Sequence, residues 1–181
     1  MKGTVVIIPA YNEERTIVAV ISTVCAAAPE RIIIIDDGSR DGTADQVQAL
    51  IDEGQLSCAL ELIRHASNQG KGIALTTGIA RAITVGAQRI VTIDGDGQHD
   101  GSDLPRLEMV ALRDSNAVVI AARLHERDHA PPLRRFANKV ADFWISWACG
   151  QRINDTQSGF RLYPAALVSN LTCALQVRDF A

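Results

Sequence analysis

Short apolar runs alternate along this chain with longer stretches in which apolar residues recur at helical spacing. Thr4-Val5-Val6-Ile7-Ile8-Pro9 reads as a first buried strand, which Pro9 ends because proline cannot donate to a ladder. From Glu14 to Ala28, Ile17, Val20, Ile21 and Val24 keep a helical period, and Pro29 closes the segment. Arg31-Ile32-Ile33-Ile34-Ile35 predicts a second strand, followed by a polar loop and a helical stretch to Glu53. Leu60-Glu61-Leu62-Ile63-Arg64 predicts a third strand, with a helix through Ile73, Leu75, Ile79 and Ile83 after it. Arg89-Ile90-Val91-Thr92-Ile93 is the fourth. Ser102 or Asp103 can then cap a helix with Pro105 in its first turn, and Ala117 to Ala122 forms a fifth strand ending at Arg123. Unbroken β-branched runs suit strands buried on both faces, so the pattern predicts an α/β fold with a mostly parallel sheet covered on both sides.

The polar residues gather where the strands end, the edge at which open α/β sheets bind ligands. After the fourth strand comes Asp94-Gly95-Asp96-Gly97-Gln98-His99-Asp100. Side-chain alternation along an extended segment would let Asp94, Asp96 and Gln98 converge, with Gly95 and Gly97 admitting a ligand to the backbone. Oxygen donors without Cys or paired His favour Mg²⁺ or Mn²⁺, incompletely caged and shared with substrate phosphates. An EF-hand fails, because His99 and Pro105 stand where that loop needs Gly and Glu. A solvated acidic turn is the alternative reading of an isolated D-x-D.

The first strand ends in Ala10-Tyr11-Asn12-Glu13, not in the G-x-G-x-x-G of a dinucleotide fold. Tyr11 and Glu13 suit a nucleobase and its imino or amino group, although a tyrosine with this setting also packs with its hydroxyl outward. After the second strand, Asp37 can accept hydrogen bonds from a ribose or from a uracil or guanine N–H. Asp41 and Thr43 fit helix N-caps and Gly38 and Gly42 fit turns, so these need no function. Gly70-Lys71-Gly72 lacks the first Gly of a Walker loop and its Ser/Thr, leaving Lys71 as a point charge near a nucleotide or as a surface lysine.

At 181 residues and 47% hydrophobic content, one domain with an ample core is expected. A net charge of −3 argues against a nucleic-acid partner. Cys25, Cys58, Cys149 and Cys173 match no C-x-x-C site and predict reduced core thiols of a cytoplasmic protein. Met1-Lys2-Gly3 leads straight into a short strand without the apolar region of a signal peptide, and no run reaches the roughly 20 apolar residues of a membrane span.

Beyond Pro131 the character changes. Leu133, Phe136, Val140, Phe143, Trp144 and Trp147 form a helical stripe beside Arg134, Arg135 and Lys139, and seven of the eight aromatics follow residue 135. Such a stripe packs on a sheet, or lies peripherally at the cytoplasmic membrane face near a lipid phosphate.

Taken together, Ile8-Pro9-Ala10-Tyr11-Asn12-Glu13, Asp36-Asp37-Gly38-Ser39 with Asp41-Gly42-Thr43, Asn68 with Gly70-Lys71-Gly72, and Asp94-Gly95-Asp96-Gly97-Gln98-His99 resemble the family 2 glycosyltransferases. Arg123, Arg135-Phe136-Ala137-Asn138 and Asp155-Thr156-Gln157-Ser158-Gly159-Phe160-Arg161 are similar to motifs of the branch that serves dolichol or polyprenyl phosphate. The resemblance covers essentially the whole chain. It implies a single GT-A domain over 1–181, with a nucleotide-sugar and metal-binding part (1–122) and an acceptor-side part (123–181).

Carried over residue by residue, it implies nucleotide contacts from Pro9, Tyr11, Glu13, Asp37 and Asp94 and from the backbone of Ile35 and Gly95, with Asp96 and Gln98 as metal ligands. Arg123, Arg135, Asn138 and Arg161 become candidates for the acceptor phosphate. Two departures stand out: Ala121-Ala122 precedes Arg123 where Gly-Ser is frequent, and Gly101 replaces a frequent Pro. Family members usually continue with a further helix and strand, so a shortened C-terminus is expected.

The implied reaction is an inverting displacement at the anomeric carbon, from a GDP- or UDP-sugar, with a metal acting as Lewis acid on the departing nucleoside diphosphate. Asp96 and Arg123 would serve the transfer directly. A phosphate acceptor is already anionic and needs no strong base, in keeping with the lack of an obvious His–carboxylate pair among His65, His99, His125 and His129. For a hydroxyl acceptor Asp155 is the candidate base. The alternatives are thus transfer to a saccharide or small-molecule hydroxyl, or a nucleotide-sugar binding module without turnover.

Overall fold

The computed structural model of the chain describes residues 1–122, 147, 150, 155 and 158–169. Six strands form one sheet: β1 (Thr4–Ala10), β2 (Arg31–Asp36), β3 (Ala59–Arg64), β4 (Arg89–Thr92), β5 (Val119–Ile120) and β6 (Arg161–Pro164). Their spatial order is β3-β2-β1-β4-β6-β5. The first four are mutually parallel, while β6 runs antiparallel to both β4 and β5. The helices are α1 (Ile17–Ala26), α2 (Thr43–Glu53), α3 (Lys71–Thr84) and α4 (Leu104–Ala111).

The isoleucine-rich runs are continuous because both faces of the sheet are covered. Val6, Ile8, Ile32 and Ile34 pack against Ile17, Ile21 and Val24 of α1, Val47 of α2 and Leu104 and Leu107 of α4. On the opposite face Val5, Ile7, Ile33 and Ile35 meet Ala74 and Ala82 of α3. Alanine and glycine on α3 let it lie close. A Cβ at Gly78 would come 2.4 Å from Cγ2 of the fully buried Ile7. That carbon is bonded to a β-branch point and cannot swing aside, so Gly78→Ala is expected to cost about 1–3 kcal/mol of stability. A urea midpoint equal to wild type would contradict this.

Several expectations need correction. Pro9 does not end β1, which pairs through Pro9↔Ile35 and Ala10↔Asp36 on the β2 side. The missing N–H faces β4, whose ladder with β1 closes with Ile93 N–H donating to the Ile7 carbonyl at 3.1 Å. Pro9 therefore ends one ladder and leaves the other intact. The fifth strand shrinks from 117–122 to Val119–Ile120, and β6, not anticipated from the sequence, lies between it and β4. Helix α1 starts three residues later than Glu14. The N-cap of α2 is Gly42, not Thr43, and the side chain of Asp41 just before it accepts from the first helical N–H, that of Thr43, at 3.0 Å.

The cysteines are corrected too. Cys25 in α1 and Cys58 before β3 form a disulfide, with Cα atoms 5.8 Å apart, a separation that permits bridging. Packing of α1 over the start of β3 brings together two cysteines 33 residues apart. Cys149 and Cys173 lie outside the described residues. At Gly101 a Cβ would come 2.5 Å from Val24 N of α1, which accounts for glycine in this chain where the family pattern often has proline.

Candidate functional site

The chain leaves β1 toward β2 and β3 on one side, then crosses back through α3 to β4 on the other side of β1. Strand order thus reverses at β1, and the carboxyl ends of β1 and β4 part just where Pro9 stops their pairing. That is where an open α/β sheet offers a binding crevice. A cavity of about 290 Å³ lies there. Pro9, Ala10, Tyr11 and Glu13 reach it from β1, Asp37 from β2, Asn68, Lys71 and Ala74 from the loop and helix after β3, and Asp94, Gly95 and Asp96 from β4. A second, polar cavity of about 230 Å³ shares Tyr11 and Asn68 with it and is lined further by Arg40, Arg64 and His65. Tyr11, 40% exposed, stands between the two. Ile35 is fully buried and does not line the cavity.

The loops that frame the crevice are tied to each other. Asn12 N–H donates to Ser39 Oγ at 2.9 Å, and Asn12 Oδ1 accepts from Arg40 N–H at 2.9 Å. Asn12 sits at φ 57°, a left-handed conformation that asparagine tolerates better than most residues. Glu13 N–H donates to Thr43 Oγ1 at 2.8 Å, and Asp41 accepts from the N–H groups of Thr43 and Glu14 at 3.0 and 3.2 Å. Asp41 thus serves the start of α2 and ties it to the loop after β1. Glu13 Oε2 accepts from Thr16 Oγ1 at 2.9 Å, which holds that carboxylate against the crevice wall.

Asp37 is 3% exposed and heavily supplied with donors. Its Oδ1 accepts from His65 Nδ1 at 2.7 Å and from Gln69 N–H at 3.0 Å, and its Oδ2 accepts from Gly70 N–H at 2.7 Å. A His–carboxylate pair is therefore present, contrary to the expectation from sequence. The register pairs Asp36 with Arg64, so the next residues, Asp37 and His65, emerge side by side. Asp36, fully buried, is bound by Arg64 Nε at 3.0 Å.

Burial alone would raise the Asp37 carboxyl, but the Gln69 and Gly70 N–H groups and His65 outweigh it and hold the group below its ordinary 3.8. Because the folded value lies below the unfolded one, the ionised group contributes stability that is complete above about pH 4 and is lost as pH falls through the folded value. The urea midpoint is expected to drop on acidification below about pH 4, and Asp37→Asn to flatten that slope. Identical acid slopes in the two proteins would refute it. Asp100, held down by the Ser102 N–H, acts in the same direction.

At the end of β4 the extended backbone stops at Thr92, so strand alternation does not bring Asp94, Asp96 and Gln98 together as expected. Asp94 faces the cavity and pairs with Lys71 Nζ at 2.6 Å. Lys71, at the first turn of α3 and 54% exposed, lines the cavity. Asp96 lies at the cavity lip in a turn, with Oδ1 accepting from Gln98 N–H at 3.0 Å, and Gln98 is exposed outside the lining.

Among the described residues no cluster of three His, Cys, Asp or Glu side chains forms a closed metal cage. Asp94 and Asp96 nevertheless offer hard oxygen donors on the cavity wall, a set that fits a Mg²⁺- or Mn²⁺-type ion completed by substrate oxygens.

Behind Asp94 stands a residue that sequence reasoning quoted only as part of a motif. A Cβ at Gly159 would come 2.2 Å from the Asp94 carboxylate. The Gly159 carbonyl accepts from Thr92 Oγ1 at 2.9 Å, and buried Ser158 donates to the Ala121 carbonyl at 2.6 Å. His99 completes this wall, its ring edge-on to Phe160 with centroids 5.5 Å apart.

Of the acceptor-side candidates, Arg123, Arg135 and Asn138, with most of the aromatic stripe, lie outside the described residues. Trp147 is 72% exposed. Asp155 is 2% exposed, and Arg161 begins β6 with Nε donating to the Ser158 carbonyl at 2.7 Å. Among the described residues no helix is long and apolar enough to cross a membrane.

Residues 5–175 match the family described as glycosyl transferase family 2. A protein of Methanococcus voltae named UDP-N-acetylglucosamine–dolichyl-phosphate N-acetylglucosaminyltransferase is 30% identical, over 96% of this chain and 74% of its own length. The undecaprenyl-phosphate 4-deoxy-4-formamido-L-arabinose transferase of Serratia proteamaculans is 29% identical over 90% of this chain, which spans 49% of that protein. The mannosyltransferase PcManGT of Pyrobaculum calidifontis, solved with GDP-Man and Mn²⁺, superposes with a TM-score of 0.66 at 20% identity, over 93% of this chain and 46% of that one. Its likeness gives the fold as GT-A.

Proposed function

Since the chain belongs to glycosyl transferase family 2, we propose that it moves a sugar from a nucleoside-diphosphate sugar to a polyprenyl phosphate. The observation that carries this reading is the crevice between β1 and β4, where residues from four successive strand ends line one cavity. Tyr11 offers a ring face to the base, while Glu13 and Asp37 accept hydrogen bonds from base or ribose. Pro9 and Gly95 shape the close approach. Lys71, released from Asp94, offsets diphosphate charge from the first turn of α3, where the backbone N–H groups also favour an anion.

Asp96, with Asp94 nearby and Gln98 beside it, would hold a Mg²⁺ or Mn²⁺ ion. Bound there, such an ion would supply Lewis-acid charge to the departing nucleoside diphosphate. Arg123, Arg135 and Asn138 are proposed for the acceptor phosphate, with Arg161 supporting the wall next to it. A phosphate monoester attacks as an anion, so this route requires no general base. The polyprenyl names of the relatives support the lipid acceptor, and a peripheral position at the membrane surface follows from it.

The test is transfer from labelled UDP- and GDP-sugars, with Mn²⁺, to polyprenyl phosphate, polyprenol or a free saccharide. Label entering the organic phase only with polyprenyl phosphate is the expected result. Label appearing only in saccharide products would overturn the lipid acceptor and make Asp155 the residue to examine as base.

A further inference from the structure

His65 takes no part in the reading above, yet it holds the most heavily hydrogen-bonded carboxylate of the cavity. Its Nδ1 lies 2.7 Å from Asp37 Oδ1 and its Nε2 lies 3.1 Å from Thr77 Oγ1 on α3. With the proton on Nδ1, donors run in one direction, from the Thr77 hydroxyl to Nε2 and from Nδ1–H to the carboxylate. The ring is 9% exposed and is anchored at both nitrogens, so it cannot turn without breaking a bond. A Thr–His–Asp order resembles a nucleophile relay, but Thr77 lines neither cavity, and its hydroxyl therefore serves to fix the ring.

The bonds to Asp37 decide what it can offer. Oδ1 is filled by His65 and Gln69, whereas Oδ2 has accepted only the Gly70 N–H and retains a lone pair. We propose that His65 is a positioning residue for recognition of the donor's base: it fixes the Asp37 carboxylate so that one acceptor faces the cavity and selects bases carrying a ring N–H at their pairing edge, uracil or guanine, over cytosine. The inference rests on the reading of Asp37 as a nucleotide contact and goes beyond it. An oriented, acceptor-only carboxylate bonds to such a ring N–H and repels the bare ring nitrogen that cytosine presents at the same edge. Without His65 the carboxylate keeps only the loop donors Gln69 and Gly70, its orientation is less tightly fixed, and discrimination falls.

The experiment is calorimetric titration of the full chain, with Mn²⁺, by UDP, GDP and CDP, on wild type, His65→Ala and His65→Asn. An asparagine amide can occupy the place of Nδ1–H, so His65→Asn keeps the bond to Asp37 and loses that to Thr77. Wild type is expected to bind UDP or GDP about tenfold tighter than CDP; His65→Ala should lose most of that preference through weaker UDP or GDP binding, and His65→Asn should regain most of it. A His65→Ala protein that keeps the wild-type preference would overturn the inference and leave the donor site standing. So would equal losses in the two variants when their melting temperatures match wild type. Wild type that binds neither UDP nor GDP would overturn the donor-site reading and the inference with it.

Discussion

Asp96→Ala is expected to lower sugar transfer by about 100- to 1,000-fold while leaving stability within about 0.5 kcal/mol of wild type. The two halves of this expectation come from one observation. Asp96 is exposed at the cavity lip, and the bond the structure gives it is a local one, from Gln98 N–H to Oδ1 at 3.0 Å. Removing the side chain therefore leaves no buried group unpaired and opens no core cavity. On the proposed reading, however, it removes a charged oxygen ligand from an ion that already has few protein ligands, and transition-state charge stabilisation is where active sites lose most. Steady-state transfer at increasing Mn²⁺, together with urea denaturation of the same preparations, measures both quantities. Activity within threefold of wild type would remove Asp96 from the metal site.

The second large effect concerns a residue with no functional group at all. Gly159→Ala places a methyl carbon about 2.2 Å from the Asp94 carboxylate, so one of the two must move. Gly159 has little freedom to retreat: its carbonyl is held by Thr92 Oγ1, and its neighbours Ser158 and Phe160 are buried and bonded to Ala121. Asp94 is the softer partner, a 19%-exposed side chain facing a cavity. It is expected to swing away, breaking the 2.6 Å pair with Lys71 and misplacing both charges relative to the donor. Displacements on the order of 1 Å in such sites cost about a hundredfold, so donor kcat/KM should fall by roughly that factor. A variant that melts like wild type and binds donor normally would show that the carboxylate's present position is unimportant.

Much of this site could be read from the sequence, for a definite reason. Parallel strands buried on both faces appear as uninterrupted isoleucine and valine runs, and each run stops where the chain meets the ligand edge. The runs at Ile7, Ile33 and Ile90 therefore located Tyr11, Asp37 and Asp94 almost by themselves. What stayed hidden depends on which strands become neighbours. Asp37 and His65 are 28 residues apart, and only the in-register pairing of β2 with β3 sets them side by side. Arg161–Pro164 is too short and too mixed to read as a strand until β4 supplies its partner. Whether Pro9 ends a strand depends on which side its missing N–H faces. The Cys25–Cys58 bridge likewise needs α1 over the start of β3, and a spacing of 33 residues carries no trace of that.

The position of β6 also bears on how the molecule is built during synthesis. The strand that fills the gap between β4 and β5 is the last of the six to leave the ribosome, and the Thr92–Gly159 bond beside it spans 67 residues. Until it docks, β4 is an open edge, the kind of surface that pairs with other chains, and the long loop delays its closure. A nascent chain halted just short of Ser158 would carry Tyr11, Asp37, Lys71, Asp94 and Asp96 and yet lack the Gly159 backbone that stands against the Asp94 carboxylate. On the proposed reading, donor recognition would be acquired late, once the segment from Ser158 to Arg161 arrives.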